Sequence, residues 1–154
     1  MGALLIILSA VRLYHRSAEV RRDSVRTFAF MEGSRLSGMA QHLLRRRASR
    51  AADLEMSYAS TNPDLVLAVI IDTDNLVRHS TFEQLKGLPL QETPLAMHEA
   101  LVRTVKESME GRVVEVGDKM QMLAVFPFWE GLARGKGCVV AAYDLKAPLE
   151  VASS

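Results

Sequence analysis

Leu65-Val66-Leu67-Ala68-Val69-Ile70-Ile71, followed by Asp72-Thr73-Asp74-Asn75, decides the fold. An unbroken apolar run rich in β-branched residues and closed by turn chemistry reads as a strand buried on both faces. Asp and Asn bond their own backbone, and Asn tolerates positive φ, so 72–75 turns the chain back on itself. Leu76–Thr81 is then the returning strand of a hairpin.

Upstream, Ser17 to about Ser60 contains no proline and is dominated by Ala, Arg, Leu, Glu and Met, which predicts helix. Val25, Phe28, Leu36, Met39 and Leu43 fall near helical spacing as one stripe. Gly33 and Gly38 permit a bend or a close approach, and Asn62-Pro63 ends the helical region. Downstream, Phe82–Gln91 is a loop with Gly87 and Pro89. A helix is expected over Pro94–Glu110, with Thr93 as N-cap and Gly111 as terminator. Leu101, Val102, Val105 and Met109 form its buried face. Three strands follow, Val113–Val116, Met120–Phe128 and Gly137–Tyr143, with turns at Gly117-Asp118 and Gly131–Gly137. Asp144–Ser154 reads as the start of an exit helix. The sum is an α+β domain: a long N-terminal helix and a five-stranded antiparallel sheet, with a helix between strands 2 and 3 and helices on one side.

The bulk numbers bound this reading. With 154 residues there is room for one domain with a real core. Half the residues are apolar and a quarter charged, which excludes a disordered chain. Cys138 is the single cysteine, so it forms neither an internal disulfide nor a Cys-based metal site. The formal charge of +1 hides an asymmetry. Arg12–Arg50 holds ten Arg against three acids, whereas nine Lys/Arg face fifteen acids from Ala51 onward. A basic arm on an acidic body suggests that the arm meets something anionic, with phosphate head groups and nucleic acid as candidates. Gly2–Val11 carries no charge and is followed by Arg12, Tyr14, His15 and Arg16, the chemistry of a helix leaving a bilayer. At ten residues it is too short to span alone. The expectation is therefore the C-terminal part of a transmembrane helix over 1–16, then helix over 17–62, the sheet-bearing core over 63–146, and an exit toward a second membrane helix over 147–154. A signal-peptide core and a buried strand or helix are the other readings of the apolar start.

Several segments, in order, resemble the periplasmic sensors of ZraS-type, NtrC-linked histidine kinases. They are the membrane exit VRLYHRSAEVRR (11–22), MEGSRLSGM (31–39), the hairpin LAVIIDTDNLVRHS (67–80), the loop LKGLPL (85–90) and the terminal VVAAYDLKAPLEVASS (139–154). The element order is also that of PAS-like or Cache sensor domains. The pair His79-Ser80 is similar to the site of citrate- and dicarboxylate-sensing kinases. However, Leu76 stands where those families carry an arginine, which argues against a simple di- or tricarboxylate. The resemblance implies the input domain of a dimeric, inner-membrane two-component receptor with its sensor in the periplasm. It also implies a ligand lying between the sheet and the flap Phe82–Gly111.

On that frame Arg78, His79 and Ser80 close a strand at the mouth of the flap, and Lys119 and Gln121 lie on neighbouring strands. Charge-assisted bonds from Arg78 and His79 suit an organic anion more than a metal ion, with Phe126 and Phe128 as the apolar wall. The alternative is a surface arginine, a hydrogen-bonded hairpin histidine and core aromatics. The four histidines lack paired spacing, so no zinc site is expected, and no cofactor is expected. The acidic turn lacks the glycine and distal glutamate of a calcium loop. No nucleophile elbow, phosphate loop or kinase motif is present in the sequence, so the chain reads as a non-enzyme. Arg45-Arg46-Arg47 and Arg50 read as a solvated face rather than a nucleic-acid site. The helix stripe makes a homodimer a reasonable expectation. A polar pocket under the flap favours ligand sensing; a flap filled by its own side chains favours a membrane-anchored domain that binds a protein partner.

Overall fold

A computed structural model describes residues 2–131 and 135–146. The elements are α1 (Gly2–Arg45), α2 (Ser49–Ala59), β1 (Leu65–Ile71), β2 (Val77–Ser80), α3 (Glu99–Ser108), β3 (Arg112–Val116), β4 (Gln121–Gly131) and β5 (Gly135–Asp144). The five strands form one antiparallel sheet in the order β2-β1-β5-β4-β3. The sheet class, the strand sequence and the place of α3 agree with expectation. The expected exit helix beyond Lys146, and the centre of the Gly131–Gly137 turn, lie outside the described residues.

The helices are not on one side. Val25, Ala29, Leu36 and Ala40 of α1, with Met56 of α2, pack on Ala68, Ile70, Met122, Ala124, Val139 and Ala141. Leu90, Leu95, and Val102 and Val105 of α3, pack on Leu67, Val69, Ile71, Leu123, Val125 and Val140 of the opposite face. Alternation along each strand sends successive side chains into these two layers, so β1 is buried from Leu67 to Ile71, where both its faces are covered, while Val66 stays exposed.

The long helix breaks once. α1 ends at Arg45, and Arg47 takes the left-handed conformation at φ 55°. The helix expected to run to Ser60 thus becomes a hairpin of α1 and α2, whose buried face is Ala52, Met56 and Ala59. Composition gave no stop signal there, because arginine is a good helix former and no Gly or Pro marks the site. The segment expected as one helix from Pro94 instead begins with a 3₁₀ turn at Ala96–His98, before α3. Thr93 is not the N-cap of α3, a position held by His98 without a side-chain bond; its Oγ1 accepts from the Leu95 amide at 3.1 Å in the turn that precedes Ala96–His98. Met109, at φ 56°, rather than Gly111, closes α3.

Gly111 has another task. The Phe126 ring lies against both Gly33 and Gly111, so a Cβ at either would fall inside the ring's van der Waals envelope; at Gly33 it would stand 2.5 Å from Cδ2. Phe30 meets the same ring edge-on at 5.3 Å. Beneath α1, Ala68, Ala141 and Ala124 sit side by side in one row across β1, β5 and β4. Small residues on both partners let the helix lie close to the sheet, and Phe126 fills the notch left by the two glycines.

Gly33→Ala is therefore expected to destabilise the chain by about 1–3 kcal/mol through overpacking. That outweighs the gain of about 1 kcal/mol that Ala has over Gly in a helix. In a Phe126→Leu background the same change should be far less harmful. Urea unfolding of the four variants of this cycle checks it, and equal costs in both backgrounds would refute the notch.

Candidate functional site

The flap region is filled. Leu90 and Leu95 are 1% and 4% exposed, and Val102 and Val105 are fully buried against the sheet. Lys106 fastens α3 to the first hairpin: its Nζ donates to the Asp72 carbonyl at 2.8 Å and to Asn75 Oδ1 at 2.6 Å. The turn itself is built as expected, with Asp72 Oδ1 accepting from the amides of Asp74 and Leu76 and Asn75 at φ 61°. Burial lowers the Lys106 pKa, with the surrounding acids opposing it. Burial likewise pushes the Cys138 thiol up to about 12 and keeps it protonated.

The residues expected around a flap ligand are not brought together. Arg78 is the extra residue at an irregularity in the β1–β2 ladder; its side chain is 55% exposed and reaches Asp72 at 3.5 Å. Ser80, on the flap face, accepts from the Phe82 amide through its hydroxyl oxygen. His79 pairs with Ile70 and points with it to the α1–α2 face, away from the flap. Phe126 and Phe128 also belong to that face, so they wall the helix layer and not the flap. Lys119 precedes β4 and Gln121 opens it, and β1 and β5 lie between that strand and β2. Two residue sets assigned to one pocket thus sit on opposite faces, because neighbouring strand positions alternate. Reading faces from the Phe126–Ala124–Met122 and Val125–Leu123 alternation would have separated them.

His79 instead belongs to an ionic cluster. Its Nδ1 is 2.7 Å from Asp53 Oδ1 on α2, and the same oxygen accepts from Lys86 Nζ at 2.8 Å. Lys86 also reaches Glu83. Burial alone would raise the Asp53 pKa, but the bonds from Lys86 and His79 outweigh it and hold the carboxyl below its usual value. This cluster ties α2 to β2 and to the start of the flap. Among the described residues, no three His, Cys, Asp or Glu side chains converge as a metal-holding group.

A concavity lies elsewhere, a groove of about 1040 Å³ between α1 and the end of α2. Val20, Val25, Phe28 and Ala59 supply apolar surface, and Tyr143 of β5 forms part of the wall. Arg21 closes one side, donating to Asp64 Oδ1 at 3.2 Å and to the carbonyls of Leu145 and Asp144. Asn62 orients that corner, its Oδ1 accepting from the Asp64 amide at 2.9 Å. Phe28 stands edge-on to the Tyr143 ring at 5.7 Å. Tyr143 is 1% exposed, and its hydroxyl has no hydrogen-bond partner among the described residues. Burial raises its pKa, with Glu32 adding to the effect. No spacing in the sequence links Arg21, Asp64 and Tyr143, which come from three separate elements. The one legible signal was a tyrosine inside a strand otherwise composed of small and β-branched residues.

No protein-family model matches the chain, and no curated protein matches it. Among solved structures, the sensor domain of the V. cholerae histidine kinase DctB aligns over 90% of this chain and 57% of its own length, at 13% identity and a TM-score of 0.43. The chain thus spans little more than half of that domain. A Roadblock/LC7 domain from Streptomyces avermitilis aligns over 64% of this chain and 82% of its own, at 20% identity and a TM-score of 0.40. Both superpositions are loose, and neither bears on function.

Asp53→Ala removes the shared acceptor and is expected to cost about 1 kcal/mol at neutral pH, because His79 is left buried beside no carboxylate. A depressed carboxyl pKa contributes stability that is present above the unfolded value near 3.9 and is lost as pH falls through the folded value. The difference between wild type and variant should therefore shrink as the medium is acidified below that range. Thermal unfolding at stepped pH checks it; a gap that widens in acid contradicts the assignment.

Proposed function

We propose that this chain is the extracytoplasmic input domain of a membrane-anchored receptor, with α1 as the element that joins the sensing body to the bilayer. The observation that carries this is the continuity of α1. One helix of 44 residues, about 66 Å long at the usual rise, is seated on the sheet at one end and bare at the other. Leu4, Leu5, Ile6, Ile7 and Leu8 are 50–71% exposed. A helix that is apolar all round and uncharged over Gly2–Val11 is stable only under cover. Arg12, Tyr14, His15 and Arg16 then supply the cations and amphipathic rings that suit a head-group layer. No helix among the described residues is long and apolar enough to cross a membrane; ten residues reach about 15 Å, half of a hydrocarbon core.

The basic arm supports the same arrangement. Arg21 pairs with Asp64, Arg22 and Arg26 with Glu115, and Arg35 with Glu32 and Glu55. Apart from Arg35–Glu32, which lies within α1, these pairs seat the inner half of α1 on the acidic body and leave Arg12 and Arg16 for anionic lipid. Signalling through a helix pair requires a dimer, which is part of this proposal. A second reading, a membrane-anchored domain that binds a periplasmic protein, is favoured by the filled flap.

Flotation of the full chain with vesicles containing anionic lipid tests the anchor. The chain should rise with the vesicles, and the pair Leu5→Asp and Ile7→Asp should leave it at the bottom of the gradient. A wild-type chain that stays at the bottom would sink the membrane reading.

A further inference from the structure

We infer that the groove between α1 and α2 is a binding site for a single-chain anionic amphiphile. Two independent features define the occupant. The groove is mainly apolar, with Val20, Val25, Phe28 and Ala59 along its length, which calls for a hydrocarbon body. Four charged side chains border the space: Arg16, Arg21, Glu32 and Asp64. Arg21 is taken by Asp64 and Glu32 by Arg35, whereas Arg16 has no ion-pair partner among the described residues. The charge left for a ligand is positive and lies at the end nearest Arg12 and the apolar tip.

The occupant therefore carries its anionic head at Arg16 and lays its chain over Val20, Val25 and Phe28. The volume of about 1040 Å³ suits such a molecule, since small-ligand pockets run from roughly 300 to 1,000 Å³. Because Arg21 binds the carbonyls that end β5 while Tyr143 lies within β5, a ligand here touches the strand at the sheet's centre and the helix that leaves it.

Isothermal titration with sodium dodecanoate, below its micelle concentration, tests this in the full chain carrying Leu5→Asp and Ile7→Asp. That background removes association through the tip, so failure of the anchor and failure of the groove are read separately. One saturable site is expected. Tyr143→Phe should leave binding unchanged and should raise the melting temperature of the free protein by removing a buried unpaired hydroxyl. Arg16→Ala should weaken dodecanoate about fivefold and leave dodecanol unchanged. Ser24→Trp, from an exposed position on the groove, should abolish binding of both. Dodecanoate binding that survives Ser24→Trp would overturn the site. So would absent binding, whether Ser24→Trp then shifts the sedimentation of the chain, which assigns the groove to a second copy, or leaves it unchanged, which assigns it to solvent.

Discussion

The close seat of α1 on the sheet is the contact from which the other features follow. It rests on small residues: Ala29, Gly33 and Ala40 of the helix above the row Ala68, Ala141 and Ala124. Small side chains bring little area of their own, but they bring two backbones together, so the larger neighbours Leu36, Met56 and Phe126 are buried on both sides. The same seat fixes where α1 emerges from the body, and so where Arg21 meets the end of β5 and where the groove opens.

What the sequence made legible follows from periodicity. LVLAVII, the Asp-Thr-Asp-Asn turn and the three closing strands are short-range signals, and they stand where expected. The stripe on α1 was only half legible. Val25 and Leu36 are buried as expected, but Phe28 is 43% exposed and the seam runs through Ala29, Gly33 and Ala40. An apolar stripe is sought among large residues, whereas this interface is chosen by small ones. The break at Arg45–Ala48 was invisible because it depends on α2 reaching β2 through Asp53 and His79, a tertiary contact that overrides helix propensity.

The site was less legible than the fold. Arg78, His79 and Ser80 are adjacent in sequence, yet the strand sends His79 to one layer and Ser80 to the other, while Arg78 stays at the edge. The groove residues are far apart in sequence and carry no motif. Their common property, an unpaired hydroxyl beside a closed ion pair, exists only after folding. A four-residue strand ending in Arg-His-Ser invites a binding role. Here its histidine serves α2, and the concavity belongs to the helix layer.

The Phe126 ring in its notch has a mechanical consequence. Gly33 is a gap in that face of α1, so sliding the helix by one turn, about 5.4 Å, would bring the side chain of Ala29 or Ser37, four residues away on the same face, into the space the aromatic ring already fills. The ring behaves as a detent. It denies the helix the freedom to slide along the strands and leaves helix and sheet as one stiff piece. Force applied at the far end of α1 is then felt as torque on the whole β-body, as tilt or rotation rather than as the travel of a rod.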